Sequence, residues 1–187
     1  MLYEIKQNNH KYFHKYFHEY FHISSIMSRD IQIMSAASTE ALKSTQNYKH
    51  GAVITGKGGK VLCAGYNKGN RSKVLNSIFT CVHAEMDVIN KFINGTLRPK
   101  YGRNFLKHTK KYNIWVVRLQ NTEDIKYTMS KPCFYCSSLL KKYGFKKVYY
   151  TLDEHTIQCT KISELDSNHK SNYQRSIERI TTITHCV

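Results

Sequence analysis

Two short runs carry residue types that do metal chemistry: His83-Ala84-Glu85, and Pro132-Cys133 followed by Cys136. Hydrolysis at zinc needs about three protein ligands, an open position for water and a base that manages the water's proton. His83, Cys133 and Cys136 supply such a ligand set. The two cysteines are spaced i, i+3 and share a helix face, and at a helix N-terminus the dipole favours the thiolate form that binds metal. Glu85, on the first turn of its own helix, stands close to the metal without having to ligate it. Taken singly, a Cys-x-x-Cys pair is also a redox pair or half of a structural zinc site. Cys81, two residues before His83, is either an alternative ligand or a buried free thiol.

A second run invites a metal reading. HKYFHKYFHEYFH, residues 10–22, sets His10, His14, His18 and His22 at intervals of four, on nearly one face of any helix. A functional site also needs a third ligand, partners that orient the ligands and, for hydrolysis, a carboxylate near the bound water, for which the repeat offers only Glu19. A compositional repeat alone does not define a site, so residues 1–26 read as a low-complexity extension and 27–187 as the folded domain.

The elements that must position the chemistry are legible in part. Ser28 is placed to cap a helix with an apolar side of Ile31, Met34, Ala37, Ala41 and Leu42. GAVIT (51–55), a glycine turn (56–59) and KVLCAGY (60–66) read as a β-hairpin, followed by a polar loop. HAEMDVINKFI (83–93) has helical spacing and Gly95 should end it; NIWVVRL (113–119) is a buried strand by its unbroken apolar run. CFYCSSLLKKYG (133–144) is a helix after Pro132, and KKVYYT (146–151) is the next strand. Only LDEH separates that strand from TIQCTKI (156–162), too little for a helical crossover, so the last two strands should form an antiparallel hairpin. The tail, 163–180, is polar and partly helical by pattern.

Composition narrows the class. A chain of 187 residues is about one domain, and 41% hydrophobic with 22% charged residues reads as globular. No apolar run reaches the roughly 20 residues of a membrane span, and the first residues show no signal-peptide core, so a soluble cytoplasmic protein is expected, with no membrane partner. Six cysteines without such a signal point to metal or free thiols; Cys63, Cys159 and Cys186 have no evident role. The formal charge of +16 implies attraction to polyanions or phosphorylated substrates without choosing between them. Part of it sits in GTLRPKYGRNFLKHTKKY (95–112), which reads as a basic loop, either merely solvated or tracking a nucleic-acid backbone.

Together, H-A-E and P-C-x-x-C resemble the cytidine deaminase superfamily of zinc-dependent nucleobase deaminases. The resemblance covers about residues 28–162. It implies a three-layer α/β/α fold with a mixed five-stranded sheet. It implies zinc on His83, Cys133 and Cys136, Glu85 as proton shuttle, and Asn67, in GYN, as a contact to sugar or base; capping a turn is the plainer role for Asn67. It further implies a pyrimidine nucleotide as ligand, deoxycytidylate-like, and a homo-oligomer. Subfamily signals conflict, because the hairpin ending resembles free-cytidine deaminases whereas a histidine at position 83 resembles nucleotide and tRNA deaminases. A tRNA or single-strand editing enzyme is therefore the alternative, and a silent zinc-bound nucleic-acid-binding module a third reading, which Glu85 argues against.

Overall fold

The computed structural model describes residues 28–69, 72–74, 77–120, 126–171 and 175. The histidine repeat at 10–22, residues 172–174 and residues 176–187, Cys186 among them, lie outside the described residues.

The strand with the longest apolar run becomes the centre of the sheet. β5 (Asn113–Gln120) is buried on both faces over Ile114–Val117, as a strand covered on two sides must be. β1 (Tyr48–Thr55) lies antiparallel against one edge of β5, and β2 (Val61–Tyr66) pairs outside β1. On the other edge β7 (Lys147–Thr151) runs parallel to β5, and β8 (Ile157–Lys161) returns antiparallel beside β7, forming the expected hairpin. The order β2-β1-β5-β7-β8 gains a short strand, β6 (Lys126–Thr128), which pairs with the end of β5. β3 (Ser72–Val74) and β4 (Ser77–Phe79) form a separate ribbon within the stretch read as a polar loop. Val74 and Phe79 draw that ribbon in, because both are buried.

Helices cover both faces. α1 (Arg29–Ala41) packs Ile33, Met34, Ala37 and Ala41 on Val53, Trp115, Val117 and Leu119. Its buried face is turned from the expected one: Ile31 gives way to Ile33, and Ser38 is admitted because its hydroxyl bonds the Met34 carbonyl at 2.9 Å and the Tyr127 hydroxyl at 2.8 Å. Ser28 holds the N-cap position but makes no side-chain capping bond. On the opposite face α2 (Ala84–Phe92) and α5 (Phe134–Tyr143) cover Ala52, Ile54, Ile114, Val116 and Val148. Gly144 ends α5 at φ 67°, a left-handed conformation in which its N–H reaches the Leu140 and Lys141 carbonyls.

The basic segment is not the loop its charge suggested. The chain passes Gly95 in a π turn (Ile93–Leu97) and continues through α3 (Arg98–Tyr101) and α4 (Leu106–Thr109). Burial of Ile93, Leu97, Phe105 and Thr109 outweighs the helix-stopping tendency of Gly95 and holds the segment on the core. Among the described residues no helix is long and apolar enough to cross a membrane.

Candidate active site

The two motif runs become the starts of two helices on one face of the sheet. His83 stands at the N-cap of α2 and Cys133 at the N-cap of α5, so both positive helix ends converge on the same point. One ligand atom from each of His83, Cys133 and Cys136 falls in a cluster whose members all lie within 4.8 Å of one another. His83 Nδ1 is 3.5 Å from Cys133 Sγ and 3.4 Å from Cys136 Sγ. Zinc bonds of ordinary length, arranged tetrahedrally, set nitrogen and sulfur about 3.5 Å apart, so the donor set fits that ion.

Charge argues the same way. The hydrogen bond from the Cys136 thiol, with help from His83, holds Cys133 down to about 4. Cys136 is pushed well above the usual thiol range by its bond to Cys133 and by burial. Burial alone would lower His83, but its bond to Cys133 and the nearby Glu85 carboxylate outweigh burial and raise it. The cluster thus keeps one thiolate against a proton shared with an imidazole, and a dication in that proton's place allows the second thiolate to form. Val74, Phe79, Val82 and Met86 pack with the two cysteines and keep the surroundings dry.

Glu85, the second residue of α2, is 5% exposed. Burial raises its carboxyl above the usual range; the positive imidazole of His83 works against that shift. Cys81 is half-buried, outside the ligand cluster, and a free thiol. Cys63 is a free thiol packed against the core, and Cys159 is free and exposed.

Asn67 follows β2 and is buried. Its Oδ1 accepts from the His50 backbone N–H at 2.8 Å and its Nδ2 donates to the Tyr48 carbonyl at 2.8 Å. The carboxamide thus fastens the end of β2 to the start of β1, across strands and not within a turn, with one hydrogen-bonding position left at each end.

Two anchoring residues drew no attention in the sequence. Asp87 accepts from Lys68 Nζ at 2.8 Å, Lys91 Nζ at 2.7 Å and the Tyr66 N–H at 3.2 Å, tying the first turn of α2 to β2. Ser130, three residues before Cys133, donates to the Val116 carbonyl and accepts from the Thr151 N–H, each at 2.8 Å. It fixes the approach to α5. Neither position belongs to the spaced ligand pattern; an acidic residue two places after Glu85 and a serine before Lys-Pro-Cys were the only signals.

The basic segment lies away from this cluster. It begins beyond the C-terminus of α2, a helix of nine residues that rises about 13 Å from the ligand end, and it leads into the N-terminal end of β5. Arg98 donates to Asn94 and lies over the Phe105 ring, while Lys100 and Lys111 flank Tyr101. A hollow with Lys110, Lys141, Lys146 and Lys161 in its wall sits by Gly144, at the far end of α5.

The sequence matches the family described as cytidine and deoxycytidylate deaminase zinc-binding region over residues 27–152, and the chain belongs to that family. The structure is similar to a cytidine deaminase from Burkholderia pseudomallei, at 20% identity and a TM-score of 0.53, covering 78% of this chain and all of that one. It also matches a dCMP deaminase from the cyanophage S-TIM5 at 23% identity and a TM-score of 0.43, covering 67% of this chain and 86% of that one. None of the curated proteins matches the chain. The cytidine deaminase neighbour supports the fold: a mixed sheet with helices on both faces.

Proposed function

We propose that the protein is a zinc-dependent hydrolytic deaminase of a cytosine nucleotide of the deoxycytidylate type, releasing ammonia. The observation that carries this is the meeting of His83, Cys133 and Cys136 within 4.8 Å at two helix N-termini, with a buried carboxylate, Glu85, two residues from the histidine. Zinc bound there supplies Lewis-acid activation of a water for attack on C4 of the cytosine ring. Glu85 would take that water's proton and deliver it to ring N3, then take the proton of the new C4 hydroxyl and pass it to the amino group, which leaves as ammonia while C4 becomes a carbonyl. The thiolates and imidazole hold the donor geometry, and the apolar residues beside them exclude other water. Asn67 retains one amide hydrogen and one acceptor position with which to meet the sugar or base.

The placement of the basic segment beyond the far end of α2 supports a small substrate over a long one, since a polynucleotide using that segment would have to bridge from it to the cluster. A homo-oligomer goes with the same reading, and mass in solution measures it. The test is incubation of the zinc-loaded protein with cytidine, deoxycytidine, deoxycytidylate and a short RNA, followed by mass and ammonia release. Conversion of deoxycytidylate is the expected result. Conversion of the RNA alone, with a steep salt dependence, replaces this reading with nucleic-acid editing.

A further inference from the structure

Beside the cluster, on the same face of the sheet, stands a group of side chains that ligate nothing. The β1–β5 register pairs His50 with Arg118, and the β5–β6 register pairs Arg118 with Thr128. Alternation along the strands puts Tyr48, His50 and Arg118 on the face of Ala52 and Val116, beneath α2 and α5. They occupy the C-terminal end of β5, from which the chain runs through β6 to Cys133. His50, the register partner of Arg118, donates its backbone N–H to Asn67 Oδ1 at 2.8 Å, which ties this end of β1 to the end of β2.

Two polar atoms in this group are left without partners. Arg118 Nε and Thr128 Oγ1 are both buried and make no hydrogen bond. Buried polar groups are rarely left so, and those that are ask for a ligand, an ion or a water. Among the described residues no carboxylate forms an ion pair with Arg118. The guanidinium is instead held over the Tyr48 ring, its carbon 4.2 Å from the ring centre, and Tyr48 is itself 57% exposed. A planar cation held in place by an aromatic ring, with Nε unpaired and a hydroxyl alongside, suits a tetrahedral oxyanion.

Resting on the deaminase reading of the cluster, we propose that Arg118, with Thr128 beside it, binds the phosphate of the substrate nucleotide and so sets the preference for nucleotide over nucleoside. The basic segment 95–112, though richer in charge, has no part in this recognition. Tyr48 holds the guanidinium flat, and a phosphate oxygen takes the hydrogen bonds that Arg118 Nε and Thr128 Oγ1 lack.

The test compares zinc-loaded wild type, Arg118→Gln, Arg118→Lys and Thr128→Val on deoxycytidylate and deoxycytidine, by steady-state kinetics and by calorimetric titration. Loss of a charge-assisted bond should lower the nucleotide-to-nucleoside ratio of kcat/KM about 10-fold to 100-fold in Arg118→Gln, with the loss in KM for the nucleotide. Arg118→Lys should recover part of the ratio, and Thr128→Val, nearly isosteric, should lower it a few-fold. Equal losses on both substrates, or a fall in melting temperature with the ratio unmoved, would make Arg118 structural and overturn the proposal. If wild type turns over neither compound, the deaminase reading fails on its own account. The subsite is then judged by titration, and equal affinity of wild type and Arg118→Gln for deoxycytidylate overturns it. Loss confined to a short RNA substrate would give the subsite to a polynucleotide phosphate instead and overturn the mononucleotide assignment.

Discussion

Cys133 and His83 are 50 positions apart in the chain, yet Cys133 Sγ and His83 Nδ1 meet at 3.5 Å because each residue opens a helix on the same face of one sheet. Neither side chain could be moved by a turn of its helix without losing the other. The ligand set should therefore fail as a unit. His83→Ala, Cys133→Ser and Cys136→Ser should each take zinc from one equivalent per chain toward none, measured by metal analysis after dialysis. A chain beginning at Met27 should keep its equivalent, because the cluster is complete without His10, His14, His18 and His22. Loss of zinc on that truncation would make the repeat the metal site.

Glu85→Gln keeps the shape of the side chain and removes its capacity to carry a proton. Zinc content and the thermal transition should stay close to wild type while kcat falls about 10²-fold to 10⁴-fold. Turnover near the wild-type rate would hand the proton transfer to another residue.

Gly65 sits where β2 meets α2. A Cβ there would stand 2.8 Å from Asp87 Oδ2 and 2.8 Å from the Val88 backbone nitrogen, with helix backbone on one side and a paired carboxylate on the other. Gly65→Ala should push α2 off the sheet, costing about 1–3 kcal/mol in denaturant unfolding. Because α2 carries Glu85, kcat should fall as well. A variant as stable as wild type would show that the helix can slide without cost.

His50 is pushed down from 6.5 to about 4, first by burial and then by the charges of Arg118 and His83. Between those values the unfolded chain takes up a proton that the folded chain refuses. Stability from this group is thus complete above about pH 6.5 and is lost as the pH falls toward 4, in total about 3 kcal/mol. Unfolding midpoints of zinc-loaded wild type should drop more steeply across that window than those of His50→Gln, in which the titrating ring is gone and the metal contribution is shared. Parallel slopes would refute the assignment.

The residues of the candidate ligand cluster, both helices that carry them and the closing β-hairpin were legible in the sequence, since each leaves a local mark: spacing, a proline or glycine boundary, or a connection too short for a crossover. What was not legible depends on contacts made at a distance. The face of α1 turned because Ser38 finds Tyr127, a partner 89 residues away, and so becomes a permitted core residue. The basic stretch folded into helices because Leu97, Phe105 and Thr109 reach the core, which outweighs a composition that favours solvent. β6 and the ribbon of β3 and β4 are three residues per strand, too short to show a period. His50 and Arg118 became neighbours only through strand register, and no motif joins them.

The arrangement of the cluster also orders events during synthesis. His83 leaves the ribosome well before Cys133, and the two cannot meet until β5 has been laid between β1 and β7. Metal capture by this cluster would therefore come late, after β5 has paired with its neighbours. Until then Cys133 and Cys136 are a dithiol at a helix start, where the helix dipole favours the thiolate that oxidants attack. Zinc bound promptly at the cluster would then keep the chain from closing a Cys133–Cys136 disulfide instead.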